Sequence, residues 1–212
     1  MTLVSVITPT WRRHGALLCR CIPSVQAQTY GNIEHVIVSD GPDDELHRAF
    51  CDGLMDGLSG HMIIFGQLPE HDSDVRWGLR ARLAALELAT GDVIAYLDDD
   101  DAWRPHHASV IVGALAANLD AGFGWTRMAV HLPDGSTAEL GDAAPSYGRI
   151  ATSMMFHRRS LLDVATWQDG DLPDWELAER WLLAGAGYVS VDIVTADYYR
   201  SRPVELGRVI SR

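Results

Sequence analysis

GDVIAYLDDDDAW, residues 91–103, decides how the chain is read. Asp92 to Leu97 is a short, largely apolar run, which predicts a buried strand, and Gly91 stands where a glycine would cap the preceding helix. The strand delivers Asp98, Asp99, Asp100 and Asp101 to its carboxyl end. Four consecutive carboxylates repel one another unless a cation or hydrogen-bond donors compensate them. An oxygen-only set suits a hard divalent ion, Mg²⁺ or Mn²⁺, which takes one or two carboxylates and fills its remaining positions with phosphate and water. The plainer alternative is a solvated acidic loop that starts the helix after Pro105.

Working outward, Leu3–Thr8 reads as a strand closed by Pro9, Leu17–Gln26 as a helix, and Glu34–Ser39 as a second strand ending in the turn-rich Asp40-Gly41-Pro42-Asp43. A helix over Glu45–Leu54, a strand at Met62–Phe65 and a helix over Gly78–Ala89 complete a βαβαβα order. Alternation of this kind predicts an α/β fold, with a mostly parallel central sheet flanked by helices and a Rossmann-like N-terminal half. Such sheets bind ligands at the carboxyl ends of their strands, where Pro9–Arg13, Asp40–Asp44 and Asp98–Asp101 gather. A helix over Ala108–Ala117 follows. Strands at Phe123–Leu132, Thr137–Leu140, Val189–Val191 and Val194–Tyr199, with a helix over Trp175–Ala184, predict a smaller mixed C-terminal part.

With 212 residues, 47% hydrophobic and 22% charged, the chain suits one globular domain over 1–212. A formal net charge of -12 argues against nucleic-acid partners, and every basic residue is Arg. Cys19, Cys21 and Cys51 are odd in number and read as reduced, buried thiols. The first ten residues, MTLVSVITPT, are strand-like rather than a signal peptide, and no stretch reaches the ~20 apolar residues of a membrane helix. The expectation is a cytoplasmic protein with at most peripheral membrane contact; oligomeric state is not legible.

Several segments in register carry a resemblance. VSVITPTWRR, CIPSVQAQTYGNIEHVIVSDGPDD, GLRARLAALELATGDVIAYLDDDDAWRP and PDWELAERWLLAG together resemble the family-2-type inverting glycosyltransferases of the GT-A fold, from Val4 to about Tyr199. The resemblance implies that residues 1–103 bind a nucleotide-sugar donor, most suitably a UDP-sugar, and residues 104–212 an acceptor. It implies that Pro9 and Trp11 line the nucleotide pocket, that Asp40 bonds the base, that Asp98 and Asp99 serve the ribose region, and that Asp100 holds the metal. Arg82 matches an Ala-Arg-Asn element, and Asp174 matches the catalytic base, with Glu176 in reserve. Each has a structural alternative: Asp40 as a turn former, Trp11 as a core aromatic, Asp174 as a residue favoured at a helix N-terminus. On a strand Asp98 and Asp100 would share one side. Asp101 reads as a helix cap, and His106 and His107 as exposed first-turn residues. Arg76, Arg80, Arg200 and Arg202 are further phosphate candidates, and the acceptor site is expected from Asp142–Ser153 and the helix after Asp174.

The chain departs from the family where Leu83 replaces Asn, Ala85 replaces Gly, Trp11-Arg12 replaces Tyr-Asn, and DYYRSRPVELG lacks the late His. Two competing readings follow. A sugar-nucleotide pyrophosphorylase shares a related fold but begins with a Gly-rich basic loop that VSVITPTWRR lacks; a non-catalytic nucleotide-sugar-binding protein would suit the departures. A receiver domain is rejected because it needs a Lys.

Overall fold

The computed structural model describes residues 1–51 and 60–200. The last three residues of the helix expected over Glu45–Leu54, and Arg202, lie outside the described residues. In chain order the elements are β1 (Val4–Thr10), α1 (His14–Ala16), a π-helical turn (Leu17–Cys21) running into α2 (Ile22–Gln26), β2 (Ile33–Ser39), α3 (Asp44–Cys51) and β3 (Met62–Gln67). Then come α4 (Leu79–Leu88), β4 (Val93–Tyr96), β5 (Ala102–Trp103), α5 (His107–Ala117), β6 (Ala121–His131), β7 (Thr137–Leu140), β8 (Met155–Arg158), α6 (Pro173–Leu183) and β9 (Gly187–Tyr199).

The strands form one sheet in the order β3-β2-β1-β4-β8-β6-β9-β5, with β7 on β6. From β3 to β4 all pairs are parallel. Beyond β4 the sheet is mixed: β8 joins antiparallel, while β6 and β9 run parallel to each other. Every residue of β1 and β2 is buried, as expected for central strands covered on both faces. The two short strands expected at Val189–Val191 and Val194–Tyr199 are one long strand; its register against β6 shifts between Trp125 and Arg127, and a bulge there opposes Val191–Ile193. β1 runs two residues past Thr8 because its pairing with β2 continues to Thr10, while its pairing with β4 ends at Ile7, so Pro9, which lacks an N–H, falls beyond the second ladder.

Two expectations are corrected. Gly91 is not a left-handed helix cap: α4 ends at an extended Ala89. A Cβ at Gly91 would lie 2.6 Å from Ser5 Oγ and 2.7 Å from the Leu3 carbonyl, so the glycine serves a close backbone approach. Of the three thiols only Cys21 is buried, and burial pushes it well above its ordinary pKa; Cys19 and Cys51 are exposed. Helical residues two apart point about 200° from each other, so Cys19 and Cys21 cannot both face the core.

Trp125, Trp167, Trp181, Tyr96, Phe123 and Phe156 fill the core around β4, β6 and β8. Among the described residues no helix is long and apolar enough to cross a membrane.

Glu34 on β2 is fully buried, yet it accepts hydrogen bonds from Ser5 Oγ (2.6 Å), Thr90 N (2.5 Å), Thr90 Oγ1 (2.8 Å) and Gly91 N (3.1 Å). Burial raises its pKa, but these four donors outweigh burial and leave it lowered. Glu34→Ala strands buried donors and should cost about 3 kcal/mol, a fall in Tm of roughly 6 to 12 °C by calorimetry. Because the folded-state pKa is lowered, the ionised Glu34 stabilises above its unfolded value, and that contribution is lost as pH falls through the folded one. The gap between Glu34→Gln and wild type should therefore shrink on acidification.

Candidate functional site

β2, β1 and β4 are sheet neighbours and all parallel, so their carboxyl ends open onto one edge. Pro9 is buried at the end of β1, under Gly78 at the start of α4. Trp11 follows, and its ring stacks on His71 with centroids 4.3 Å apart and planes at 11°. Arg12, at φ 53, carries its guanidinium 4.8 Å over the other component of the turn, the Trp11 ring. Asp40 is buried; its N–H donates to the Thr10 carbonyl at 2.9 Å, and its Oδ1 has no protein partner. His71 Nδ1 bonds the Asp40 carbonyl at 2.9 Å. Gly41 closes the group at φ 127, where a Cβ would lie 2.8 Å from His71 N and 2.9 Å from Trp11 Cζ3. The result is a Trp11–His71 stack packed against the Asp40 loop, with one buried carboxylate oxygen that no protein group satisfies.

Strand alternation does not govern the four aspartates. β4 ends at Tyr96, and Asp98–Asp101 form a turn in which the Asp101 N–H donates to the Asp98 carbonyl at 3.1 Å. The turn sorts the carboxylates by partner. Asp98 accepts from Arg82 at 3.0 Å, and Asp99 from Thr10 Oγ1 at 2.7 Å and Arg13 at 3.4 Å; Asp100 pairs with Arg13. Asp101 does not cap a helix. It is buried, accepting from Ser153 Oγ at 2.6 Å and the Tyr199 N–H at 3.4 Å, and so ties the turn to β9. Ser153 Oγ in turn accepts the Asp98 N–H at 3.0 Å.

Arg82 is buried on α4, its guanidinium 4.3 Å from the centroid of the Trp167 ring. Asp174 lies in the first turn of α6, close enough to Asp98 and Arg82 to feel both charges. Burial pushes its carboxyl up to about 6, Asp98 adding to the rise while the Trp175 N–H and Arg82 oppose it. Glu176 is spent elsewhere: its carboxylate accepts the N–H groups of Asp171 and Leu172 and closes the helix start.

Other expected residues fall outside this group or serve structure. Arg76 faces Asp169 and Asp171, and Arg80 faces Asp72. His106 is exposed as expected, but His107 is buried, stacked 4.0 Å from Trp103 and bonded to Thr195 at 2.7 Å; burial drops its pKa to about 3. Asp142 pairs with Arg149, while Tyr147 and Trp175 stand edge to face near Asp174. A cleft of about 510 Å³ beside Asp100 is lined by Arg13, Arg20, His131, Tyr199 and Arg200. Sequence reading missed His71 and Trp167, and it placed Arg13 and Ser153 only within longer segments without their aspartate partners, because these contacts cross between distant segments.

The donor set fits a hard divalent ion of limited protein coordination. Among the described residues no three His, Cys, Asp or Glu side chains are placed to hold a metal ion by themselves, so phosphate and water would have to complete its shell. Asp98 and Asp100 are the carboxylates of the turn with accessible side chains, 36% and 24%, and Mg²⁺ or Mn²⁺ characteristically binds one or two carboxylates and completes its shell with phosphate and water.

Residues 5–131 match the family described as Glycosyl transferase family 2. A glucosyl-dolichyl phosphate glucuronosyltransferase of Haloferax volcanii is 35% identical over 104 residues, 47% of this chain and 29% of that protein. The solved structure of S. aureus TarS 1-349 in complex with UDP-GlcNAc superposes with a TM-score of 0.75 at 13% identity, covering 95% of this chain and 60% of that one. A mannosyltransferase, PcManGT from Pyrobaculum calidifontis in complex with GDP-Man and Mn2+, gives 0.71 at 16% identity over 97% of this chain and 58% of that one. These likenesses establish the GT-A fold. The chain spans about a third of the length of the curated relatives it matches.

The crowded acidic turn has a measurable cost. Burial first, then repulsion from Asp100 and Asp98, pushes Asp99 up to about 6 against the pull of Thr10 and Arg13. A carboxyl with a raised folded-state pKa favours folding when protonated, and that stabilisation is lost as pH rises past about 6. Asp99→Asn should therefore be more stable than wild type at pH 7.5, by about 3 kcal/mol at most. The difference should vanish below about pH 4, where the wild-type carboxyl is also neutral. A constant difference across that range would show that charge is not the cause.

Proposed function

The chain belongs to glycosyl transferase family 2, and from that premise we propose that it is an inverting glycosyltransferase, moving a sugar from a nucleotide-diphosphate sugar to an acceptor hydroxyl or amine with help from a divalent ion. The observation that carries the reading is the convergence of Asp98, Arg82 and Asp174, three residues from separate segments, at the acidic turn. We assign the chain one domain, with residues 1–103 as the donor half and 104–212 as the acceptor half.

In this reading the base stacks against Trp11 and bonds the free Asp40 Oδ1, Pro9 lines the pocket floor, and Asp98 and Asp99 face the ribose. A UDP-sugar is the favoured donor on the family resemblance; the uracil N3–H could donate to Asp40, as could the N–H groups of thymine or guanine. Asp100 would hold Mn²⁺ or Mg²⁺, which when bound supplies positive charge to the diphosphate. Arg82 and the arginine-lined cleft beside Asp100 add fixed positive charge in the same region. The acceptor oxygen attacks the anomeric carbon as the bond to the diphosphate breaks; the leaving oxygen takes that electron pair, and the acceptor proton passes to the Asp174 carboxylate. Attack from the face opposite the leaving group inverts the centre. Such a reaction belongs in the cytoplasm, with peripheral membrane contact where the acceptor is lipid-borne.

A thermal-shift panel of UDP-, dTDP- and GDP-sugars, with and without Mn²⁺, should single out one donor, whose effect is stronger with the ion; at 100 times Kd a ligand adds about 2.7 kcal/mol. Asp174→Asn should keep that shift while transfer falls about 10² to 10⁴-fold. With the base at about 6, wild-type transfer should drop tenfold per unit below that pH and level off above it. Donor binding without turnover in the wild type would instead favour a non-catalytic binding protein.

A further inference from the structure

We propose that Arg13 is a mobile counter-charge that holds Asp99 and Asp100 until a donor diphosphate draws it away, so that a divalent ion binds well only together with the nucleotide. The inference rests on the metal and diphosphate reading above. Arg13 Nη1 reaches Asp99 Oδ1 at 3.4 Å and also bonds Asp100 Oδ2, so it occupies the carboxylate proposed to hold the ion together with its neighbour. The partners differ in freedom. Arg13 has a side chain 55% exposed, against 8% for Asp99 and 24% for Asp100.

The acidic side of the pair is fixed. Thr10 holds Asp99 at 2.7 Å, and Arg20 holds the Asp100 carbonyl at 2.7 Å while lying 3.8 Å from the centroid of the Tyr199 ring. Asp101, on the far side of the turn, is bonded to Ser153 and to the Tyr199 N–H. Arg13 is the free partner: it sits just ahead of α1, after the left-handed Arg12, and borders the cleft lined by Ala16, Arg20, Tyr199 and Arg200. The cleft gives the side chain somewhere to go. A guanidinium and a divalent ion repel each other over the same carboxylate oxygens, so an ion arriving alone must expel Arg13 into water. Once a diphosphate is present, its oxygens offer the planar fork of Arg13 a charge-assisted partner, and the carboxylates are released to the ion. The effect is a coupling between nucleotide and ion, and it is reciprocal.

Titration of Mn²⁺, with free aqueous ion followed by electron paramagnetic resonance, tests this on wild type, Arg13→Gln and Arg13→Lys, each with and without UDP. UDP should raise the Mn²⁺ affinity of wild type by roughly 10-fold or more, within the common range of linked sites. Arg13→Gln should bind Mn²⁺ alone about fivefold more tightly than wild type and gain less from UDP. Arg13→Lys, which keeps the charge, should stay near wild type, and circular dichroism with a melting curve checks that both variants are folded. Equal affinity of wild type and Arg13→Gln for Mn²⁺ without UDP overturns the inference and leaves the metal reading standing. If none of the three binds Mn²⁺ even with UDP, the metal reading fails and the inference falls with it.

Discussion

Repulsion among four adjacent carboxylates is the constraint around which this molecule is arranged. Asp98 to Asp101 leave β4 in a tight turn, and each takes a different compensation: a buried arginine for Asp98, a hydroxyl and an arginine for Asp99, the same arginine for Asp100, and a serine with a β9 amide for Asp101. Those partners come from β1 and the turn after it, α4, the segment after β7 and the end of β9. Compensation is incomplete. Asp98, Asp99 and Asp101 all keep raised pKa values, chiefly through burial and mutual repulsion. A site short of positive charge, at the meeting point of the sheet's parallel strand ends, is suited to a ligand that brings a cation with it.

The parallel half was legible because each of its strands is a short apolar run followed by a helical stretch, and because β1 and β2 are buried along their whole length. Residues that sit at strand ends inherit their position from that order, which is why Pro9, Asp40 and the aspartates could be placed on one edge from sequence alone. The mixed half was harder. β8 is four residues long and β5 only two, too short for periodicity to register, and the bulge in β9 puts Asp192 and Ile193 where alternation breaks.

Within the site, local logic failed where backbone shape or distant contacts decide. Asp98 and Asp100 would share a face only on a strand, and the chain forms a turn there, which has no two-residue alternation. On sequence Glu176 is the reserve to Asp174, but its carboxylate closes the helix start by accepting the N–H groups of Asp171 and Leu172. His71 and Arg13 are reached across 31 and 86 or more residues of chain, and no spacing rule connects such pairs. Their chemistry is ordinary; only folding makes them neighbours.

The packing at Gly41 bears on how this pocket can diversify. With a positive φ and both His71 and Trp11 pressed against it, position 41 admits no side chain, and the Asp40 loop cannot shift without moving both rings. A larger or smaller group at either ring must be matched at the other. Positions 11 and 71 are therefore coupled: changes in ring size there would be accommodated in pairs, and single replacements would leave the Asp40 loop poorly packed.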